Sequence, residues 1–404
     1  MKPIIIIGTG LAGYTVAREF RKLDKTTPLI MMTSDSGGYY SKPMLSNACA
    51  QNKQAEQLIT QSAAQMTEQL DINLMSNTQV QSIDSAQKSV VTSNGTFAYD
   101  KLVLAVGAQP IRLELKGDAA DKVLSVNNID DYARFRQHID ERKNTAPVRI
   151  VILGAGLIGC EFADDFSGAG HKITVVDPSS RPLAALAAPM LSEGLHAALT
   201  ARGVTFHLNT VAESVTQASN DAKATLQVTL ANGTIVDADI VLSAVGLRPD
   251  LRLATSAGLK VERGVIIDTA GQTSNPDIYA LGDCAEYTLR NDGSTRTLPY
   301  IAPILPAGRA IAKTLSGERT EIDLRDSPVL IKTPSYPLAL IAPLPHVAKN
   351  GNWVAEQRDA HHVCRFYDAE GVMLGFGVSP HDNAIRQELM AGLGKKAEAS
   401  TSDA

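Results

Sequence analysis

The feature that most constrains this chain is a repeat. Pro3–Ile7 is a short apolar run rich in isoleucine. It leads into Gly8-Thr9-Gly10-Leu11-Ala12-Gly13, after which Val16, Phe20 and Leu23 fall on one helical face. About 140 residues later the same grammar returns. Val148–Leu153 leads into Gly154-Ala155-Gly156-Leu157-Ile158-Gly159, followed by Phe162, Phe166 and Ala169. A lone GxGxxG is weak evidence. Here each copy closes a strand and opens a helix, the context in which the motif has a physical meaning. The first glycine permits a tight turn, the second lets backbone approach a pyrophosphate, and the third lets helix and strand pack closely. The pyrophosphate then rests on free N–H groups at the positive end of the helix dipole. The alternative, two chance glycine turns, does not account for the duplication.

The repeat continues downstream. Val90-Val91-Thr92 and Thr96-Phe97-Ala98 flank the turn Asn94-Gly95, as Val228-Thr229-Leu230 and Thr234-Ile235-Val236 flank Asn232-Gly233. Each hairpin precedes a buried-strand run ending in Ala-Val-Gly, Leu102–Gly107 and Ile240–Gly246. From about Ser327 the pattern changes to short strands and turns, with Asn350-Gly351 and Asp368-Ala369-Glu370-Gly371 read as hairpin turns. Trp353 is expected in the core or seam of this region. The end of the chain, from Lys395, is small and polar and is expected to be disordered.

Bulk properties exclude several classes. A net charge of −5 argues against non-specific nucleic-acid binding. The apolar runs are far shorter than the roughly 18–20 residues that span a bilayer. The N-terminus lacks the apolar core and cleavage site of a signal peptide, so a cytoplasmic protein is expected. The four cysteines are scattered, without CxxC or CxxxxC, and no metal site is expected. His361 and His362 are adjacent and would face opposite ways on a strand.

The glycine motif has an acidic partner about 20 residues on, which accepts from a ribose. In the second copy Lys172–Val176 runs into Asp177, and a carboxylate there favours NADH over NADPH; Arg181, four residues later, argues the other way. In the first copy the candidate is Asp35, either a ribose ligand or a solvated loop acid.

Thr273–Asp283 is the most specific segment, a strand that delivers Gly-Asp at its end. With the two fingerprints and the two Ala-Val-Gly strands, it resembles the pyridine nucleotide–disulfide oxidoreductase superfamily. Tyr40–Ser46, Gly154–Ala163 and Val329–Pro334 look like those of the rubredoxin–NAD(+) reductases. Flavorubredoxin reductases share these features, and ferredoxin reductases of the putidaredoxin reductase type are more distant. Those ferredoxin reductases carry a lysine where this chain has Asn47, so no role of that lysine transfers.

The resemblance implies an α/β fold: two Rossmann-like three-layer (ββα) dinucleotide-binding domains and a small α+β C-terminal domain. The FAD domain would be discontinuous, at 1–112 and 247–325, with the NAD domain at 113–246, the small domain at 326–395 and a tail at 396–404. It implies FAD on Gly8, Thr9, Gly10, Leu11, Ala12, Gly13, Asp35, Lys42, Pro43, Val80, Ala105, Gly107, Asp283 and Lys332. It implies NADH on Gly154, Gly156, Leu157, Ile158, Gly159, Glu161, Asp177 and Gly246. Lys42 and Pro43 would lie against the isoalloxazine. Glu161 would position the carboxamide or pair with Lys42, unless it is only a first-turn carboxylate favoured by the dipole. Lys332 would stabilise reduced flavin, unless it is a solvated strand lysine. No acid–base residue is required, because the chemistry belongs to the cofactors.

Disulfide-bearing members pass electrons from flavin to a CxxxxC pair, which this chain lacks. Cys49 is alone, and reads as a structural thiol or as the peroxidatic thiol of a single-cysteine NADH oxidase or peroxidase. Without a thiol relay the flavin must hand electrons out directly, which suits a one-electron carrier such as an acidic rubredoxin. Arg290, Arg296, Arg309, Lys313 and Arg319 would form its basic docking patch, or be ordinary solvated charges. A ferredoxin or flavorubredoxin reductase is the alternative. The electrons would serve alkane hydroxylation or the disposal of oxygen and peroxide. No His-Pro motif of the dimeric disulfide reductases is present, so a monomer is expected rather than an obligate dimer.

Overall fold

The computed structural model describes residues 2–142, 147–218, 225–290 and 293–396. It divides into two compact units. The first joins the chain up to Lys42 with Glu56–Gln109 and Leu247–Arg325; the second joins Pro43–Ala55 with Pro110–Gly246 and the chain from Asp326 onward.

In the first unit a parallel sheet runs in the order Ile278–Ala280, Lys101–Leu104, Ile4–Ile7, Leu29–Met32, Asn73–Met75. Ile4–Ile7 is central and buried along its whole length, which is why it reads as an unbroken apolar run. Helix Leu11–Leu23 follows the glycine turn and buries Tyr14, Val16 and Phe20. Leu23, expected on that face, is exposed because the helix ends there. The helix packs against Ile304–Leu315 so closely that a Cβ on Gly308 would lie 2.6 Å from Thr15 Cγ2. The first Asn-Gly turn joins Ser89–Thr92 to Gly95–Ala98, with Thr92 opposite Gly95.

The second unit repeats the plan. Its parallel sheet runs Thr205–Leu208, Lys172–Asp177, Arg149–Leu153, Ile240–Ser243. Helix Leu157–Gly168 covers it, with Phe162, Phe166 and Phe135 stacked at 5.0 and 4.7 Å. The second Asn-Gly turn joins Leu226–Leu230 to Ile235–Ala238, with Gly233 at φ +83. From Asp326 onward a five-stranded antiparallel sheet forms in the order Val329–Ile331, Leu338–Ile341, Met373–Ser379, His361–Tyr367, Asn352–Arg358. Ile331, Leu338, Leu340 and Cys364 share one core with Phe162, Phe166 and Leu191, so this sheet is continuous with the nucleotide-binding fold of its unit. Trp353 packs on that core, edge-on to Phe366 at 5.3 Å.

Asp368–Gly371 turns a hairpin between His361–Tyr367 and Met373–Ser379. Asn350-Gly351 does not, because Leu338–Ile341 pairs with Met373–Ser379 rather than with the strand that follows Gly351. Gly351 answers to packing instead: a Cβ there would lie 2.3 Å from Phe366 Cζ. Of the tail at 396–404, Lys396 bridges Val372, and 397–404 lie outside the described residues. Among the described residues no helix is long and apolar enough to cross a membrane.

Candidate dinucleotide and electron-transfer site

The two glycine turns have the same construction. Gly8 and Gly154 both sit at φ +110, where a side chain is strained. A Cβ would lie 2.2 Å from Ala105 O at Gly8 and 2.7 Å from Ala244 O at Gly154. Gly13 and Gly159 press on their own turns, with a Cβ 2.0 Å from Gly8 O and 1.9 Å from Gly154 O. The middle glycines differ. Gly10 (φ −70) and Gly156 (φ −73) have ordinary backbone, and nothing lies within 4 Å of a built Cβ. The fold demands the outer glycines; only an approaching ligand demands the middle ones.

Neither helix N-terminus has a side-chain cap or an acid in its first turn. The N–H groups there are suited to an anion. Both cradles therefore fit a dinucleotide pyrophosphate. Leu11, Ala12, Leu157 and Ile158 lie in these first turns, and Ile158 is exposed.

Each candidate ribose acid lies against its turn. Asp177 Oδ2 accepts from Ala155 N at 2.6 Å and Oδ1 from Ser179 N at 2.7 Å. Asp35 Oδ1 accepts from Thr9 Oγ1 at 3.3 Å, Thr33 Oγ1 at 2.8 Å and Gly37 N at 2.8 Å. The loop that follows Met32 is thus folded back onto the first fingerprint, two residues beyond the strand position the motif anticipates. Arg181 is half-buried, with an Nε that has no hydrogen-bond partner among the described residues.

Gly282, at φ +76, brings the Gly-Asp element to the first turn: a Cβ on it would lie 3.1 Å from Ala12 Cβ. Asp283 follows, its carboxyl pushed up by burial and pulled back by the Lys42 charge. A carboxyl whose folded value is raised destabilises the ligand-free fold at neutral pH, and that penalty fades as pH falls through the raised value. Asp283→Asn is therefore expected to raise the melting temperature of flavin-free protein at pH 7 while weakening FAD retention. Thermal scans with and without FAD check both. Ala105 is buried behind Gly8, and Gly107 (φ +67) and Gly246 (φ +107) lie three residues past the ends of the strands Lys101–Leu104 and Ile240–Ser243. Val80 starts the strand Val80–Asp84, in the antiparallel sheet rather than at either turn.

Glu161 is the fifth residue of its helix, so the first-turn dipole explanation does not apply. It is almost wholly buried. Its Oε1 accepts from Lys332 N at 2.9 Å, and its Oε2 from Lys332 Nζ at 2.8 Å and Ser46 Oγ at 2.5 Å. Lys332 Nζ also donates to Pro43 O at 2.5 Å. Lys332 is thus neither a solvated strand lysine nor free of partners. Lys332 and Ser46 were not anticipated from the sequence as partners of Glu161. No local signal could have found them, since the residues lie 171 and 115 positions away.

The four cysteines are free and buried. Burial pushes the Cys49 thiol up to about 11, against the Arg136 guanidinium whose Nη1 lies 3.2 Å from its sulfur. Burial of this kind favours the protonated thiol over the thiolate a peroxidatic role needs. The basic patch is largely matched by local acids. Arg290 meets Glu321, Arg309 meets Glu19, Lys313 meets Glu318 and Arg319 meets Asp268, at 2.8, 3.6, 3.6 and 2.8 Å.

Comparison with known proteins agrees with this geometry. Residues 2–301 match the pyridine nucleotide-disulphide oxidoreductase family, and residues 321–393 match the rubredoxin binding C-terminal domain. The chain is 42% identical to a rubredoxin-NAD(+) reductase of Acinetobacter baylyi over 93% of each chain. It is 40% identical to one from Alcanivorax borkumensis over 96% of this chain and 97% of the relative. Putidaredoxin reductase, solved in covalent complex with putidaredoxin, superposes with a TM-score of 0.85 at 25% identity, covering 97% of this chain and 94% of that one. The chain belongs to the pyridine nucleotide–disulphide oxidoreductases, in the branch of the rubredoxin-NAD(+) reductases.

Proposed function

We propose that this chain oxidises NADH and passes the electrons, one at a time, to a rubredoxin, acting as a monomer in the cytoplasm. The observation that carries the reading is the pair of glycine cradles whose middle positions face open space. Bound FAD supplies the chemistry, taking two electrons from NADH and releasing them singly.

The chain's own residues bind, orient and tune. The first turn, Asp35 and Asp283 hold FAD. The second turn and Asp177 hold NADH, and the Asp177 carboxylate disfavours a 2′-phosphate. Lys42 and Pro43 would help to hold the flavin ring system. Lys332, oriented by Glu161, would supply a positive charge to the reduced flavin. The buried, protonated Cys49 supports an exit of electrons directly to the partner rather than through a thiol. The similarity of residues 321–393 to a rubredoxin binding domain supports the choice of partner. Docking for electron transfer needs close approach rather than tight binding, so the complex is transient.

The test is stopped-flow reduction by NADH and NADPH, followed by reoxidation with rubredoxin, ferredoxin or peroxide. Faster reduction by NADH and fast reoxidation by rubredoxin are expected. Fast reoxidation by peroxide alone would overturn the reading. With four of the five patch cations paired to local acids, the rate with rubredoxin should fall by about threefold or less over a tenfold rise in salt. A steeper fall, measured in the same apparatus, would mean that those pairs open in the complex.

A further inference from the structure

Helix Leu157–Gly168 carries three buried acids, Glu161, Asp164 and Asp165. Buried carboxylates are costly unless they are bonded. Here each takes N–H or O–H groups from chain segments far away in sequence. Asp165 Oδ2 accepts from Cys49 N and Oδ1 from Ala50 N, both at 2.9 Å. Asp164 Oδ2 accepts from Ser335 N at 2.9 Å, and Arg202 Nε lies 3.2 Å from its Oδ1. Glu161 holds Ser46 and Lys332 together.

The pattern is a two-ended anchorage. Glu161 and Asp165 are four residues apart, on one face of the helix. Between them they fix both ends of the segment 46–50. Glu161 and Asp164 do the same for 332–335. The Lys332 ammonium then ties the two segments to each other through Ser46 Oγ, 3.3 Å away, and also reaches Pro43 O just before the first. None of the bonds made by Asp165 touches a cradle. Its bonds fix Cys49 and Ala50, three and four residues past Ser46, to the helix that follows the second cradle.

We propose that Asp165 is a positioning residue for electron entry: by capping Cys49 and Ala50 it holds the Pro43–Ser46 turn, and with it the Lys332 ammonium, in register with the NADH-binding helix. This rests on the functional reading above, in which Pro43 and Lys332 would serve the flavin. A near-attack geometry tolerates little displacement, and a 1 Å error can cost about 100-fold in rate. A loosened turn should therefore slow the chemical step without weakening NADH binding, because the second cradle is untouched.

The test compares wild type with Asp165→Asn, Asp165→Glu and Ser46→Ala. Amide hydrogen exchange over residues 43–50 is measured on flavin-free protein. The limiting rate of flavin reduction per bound FAD and the apparent NADH Kd are measured on the loaded enzyme. For Asp165→Asn, exchange should quicken by about tenfold or more, the limiting rate should fall by about 10- to 100-fold, and Kd should stay within about threefold. Asp165→Glu should recover most of the rate. Ser46→Ala, which removes one hydroxyl and should fold normally, should move rate and exchange the same way by a smaller factor. Unchanged exchange in Asp165→Asn, or faster exchange with an unchanged rate per FAD, would overturn the proposal. Should Asp165→Asn not fold, Asp165→Ser, which also removes the two-oxygen acceptor for Cys49 N and Ala50 N, carries the same test with the same overturning outcomes. A wild-type enzyme that NADH fails to reduce would overturn the functional reading and the positioning role with it, while anchorage would still be read from exchange.

Discussion

Replacing Gly10 by valine is expected to leave the flavin-free chain folded and to strip it of FAD. The position has φ −70 and ψ −176, extended backbone that a β-branched residue adopts readily, and a Cβ there meets nothing within 4 Å. Its side chain would instead fill the space the pyrophosphate needs. Gly156→Val is the matched experiment on the second turn, at φ −73 and ψ −171. It should retain FAD and lose reduction by NADH. In each case the affected affinity should fall by about 100-fold or more, since a pyrophosphate displaced from the helix N-terminus loses several charge-assisted hydrogen bonds. Flavin absorbance after gel filtration reads the first, and stopped-flow reduction the second. Gly8→Val and Gly13→Val are the controls and should not yield soluble protein, because their side chains would strike carbonyl oxygens at 2.2 and 2.0 Å. A Gly10→Val chain that keeps its flavin would show that the first turn does not hold FAD.

Glu161→Leu should cut the rate of flavin reduction by about 100-fold, by releasing the charge that Lys332 presents. It removes the acceptor for Lys332 N, Lys332 Nζ and the Ser46 hydroxyl at once. The carboxylate is buried, but the Lys332 side chain is 33% exposed, so water recovers part of the loss. A stability cost of about 1–3 kcal/mol is expected. Glu161→Gln keeps an acceptor for the backbone N–H and should lose only about tenfold in rate. The double variant Glu161→Leu with Lys332→Met separates structure from chemistry. Replacing a buried pair by apolar groups often restores stability, so melting temperature should recover while the rate stays low. Recovery of both would reduce the pair to a structural tie.

The parts of this fold that were legible in advance are those set by local sterics. A strand that is buried on both faces must be apolar throughout, as Ile4–Ile7 and Arg149–Leu153 nearly are. A backbone at φ +110 needs glycine, as at Gly8 and Gly154. Both hairpin turns of the repeat hold their glycine at positive φ, Gly95 at +124 and Gly233 at +83, which is why glycine follows the asparagine there. Asn350-Gly351 carries the same pair for another reason, the closeness of Phe366, and so misled. Leu23 continued an apolar periodicity past the point where packing required it.

The sequence by itself determined that there are two dinucleotide cradles, because each cradle is a contiguous turn whose chemistry is written within about thirty residues. Tertiary structure alone decided what surrounds them. Lys332 reaches Pro43 across 289 residues, Glu161 reaches Ser46 across 115, and Asp165 reaches Cys49 across 116. Nothing near any of these residues requires its partner. The pairings exist because a buried carboxylate must find donors, and which donors lie within reach depends on how the chain packs.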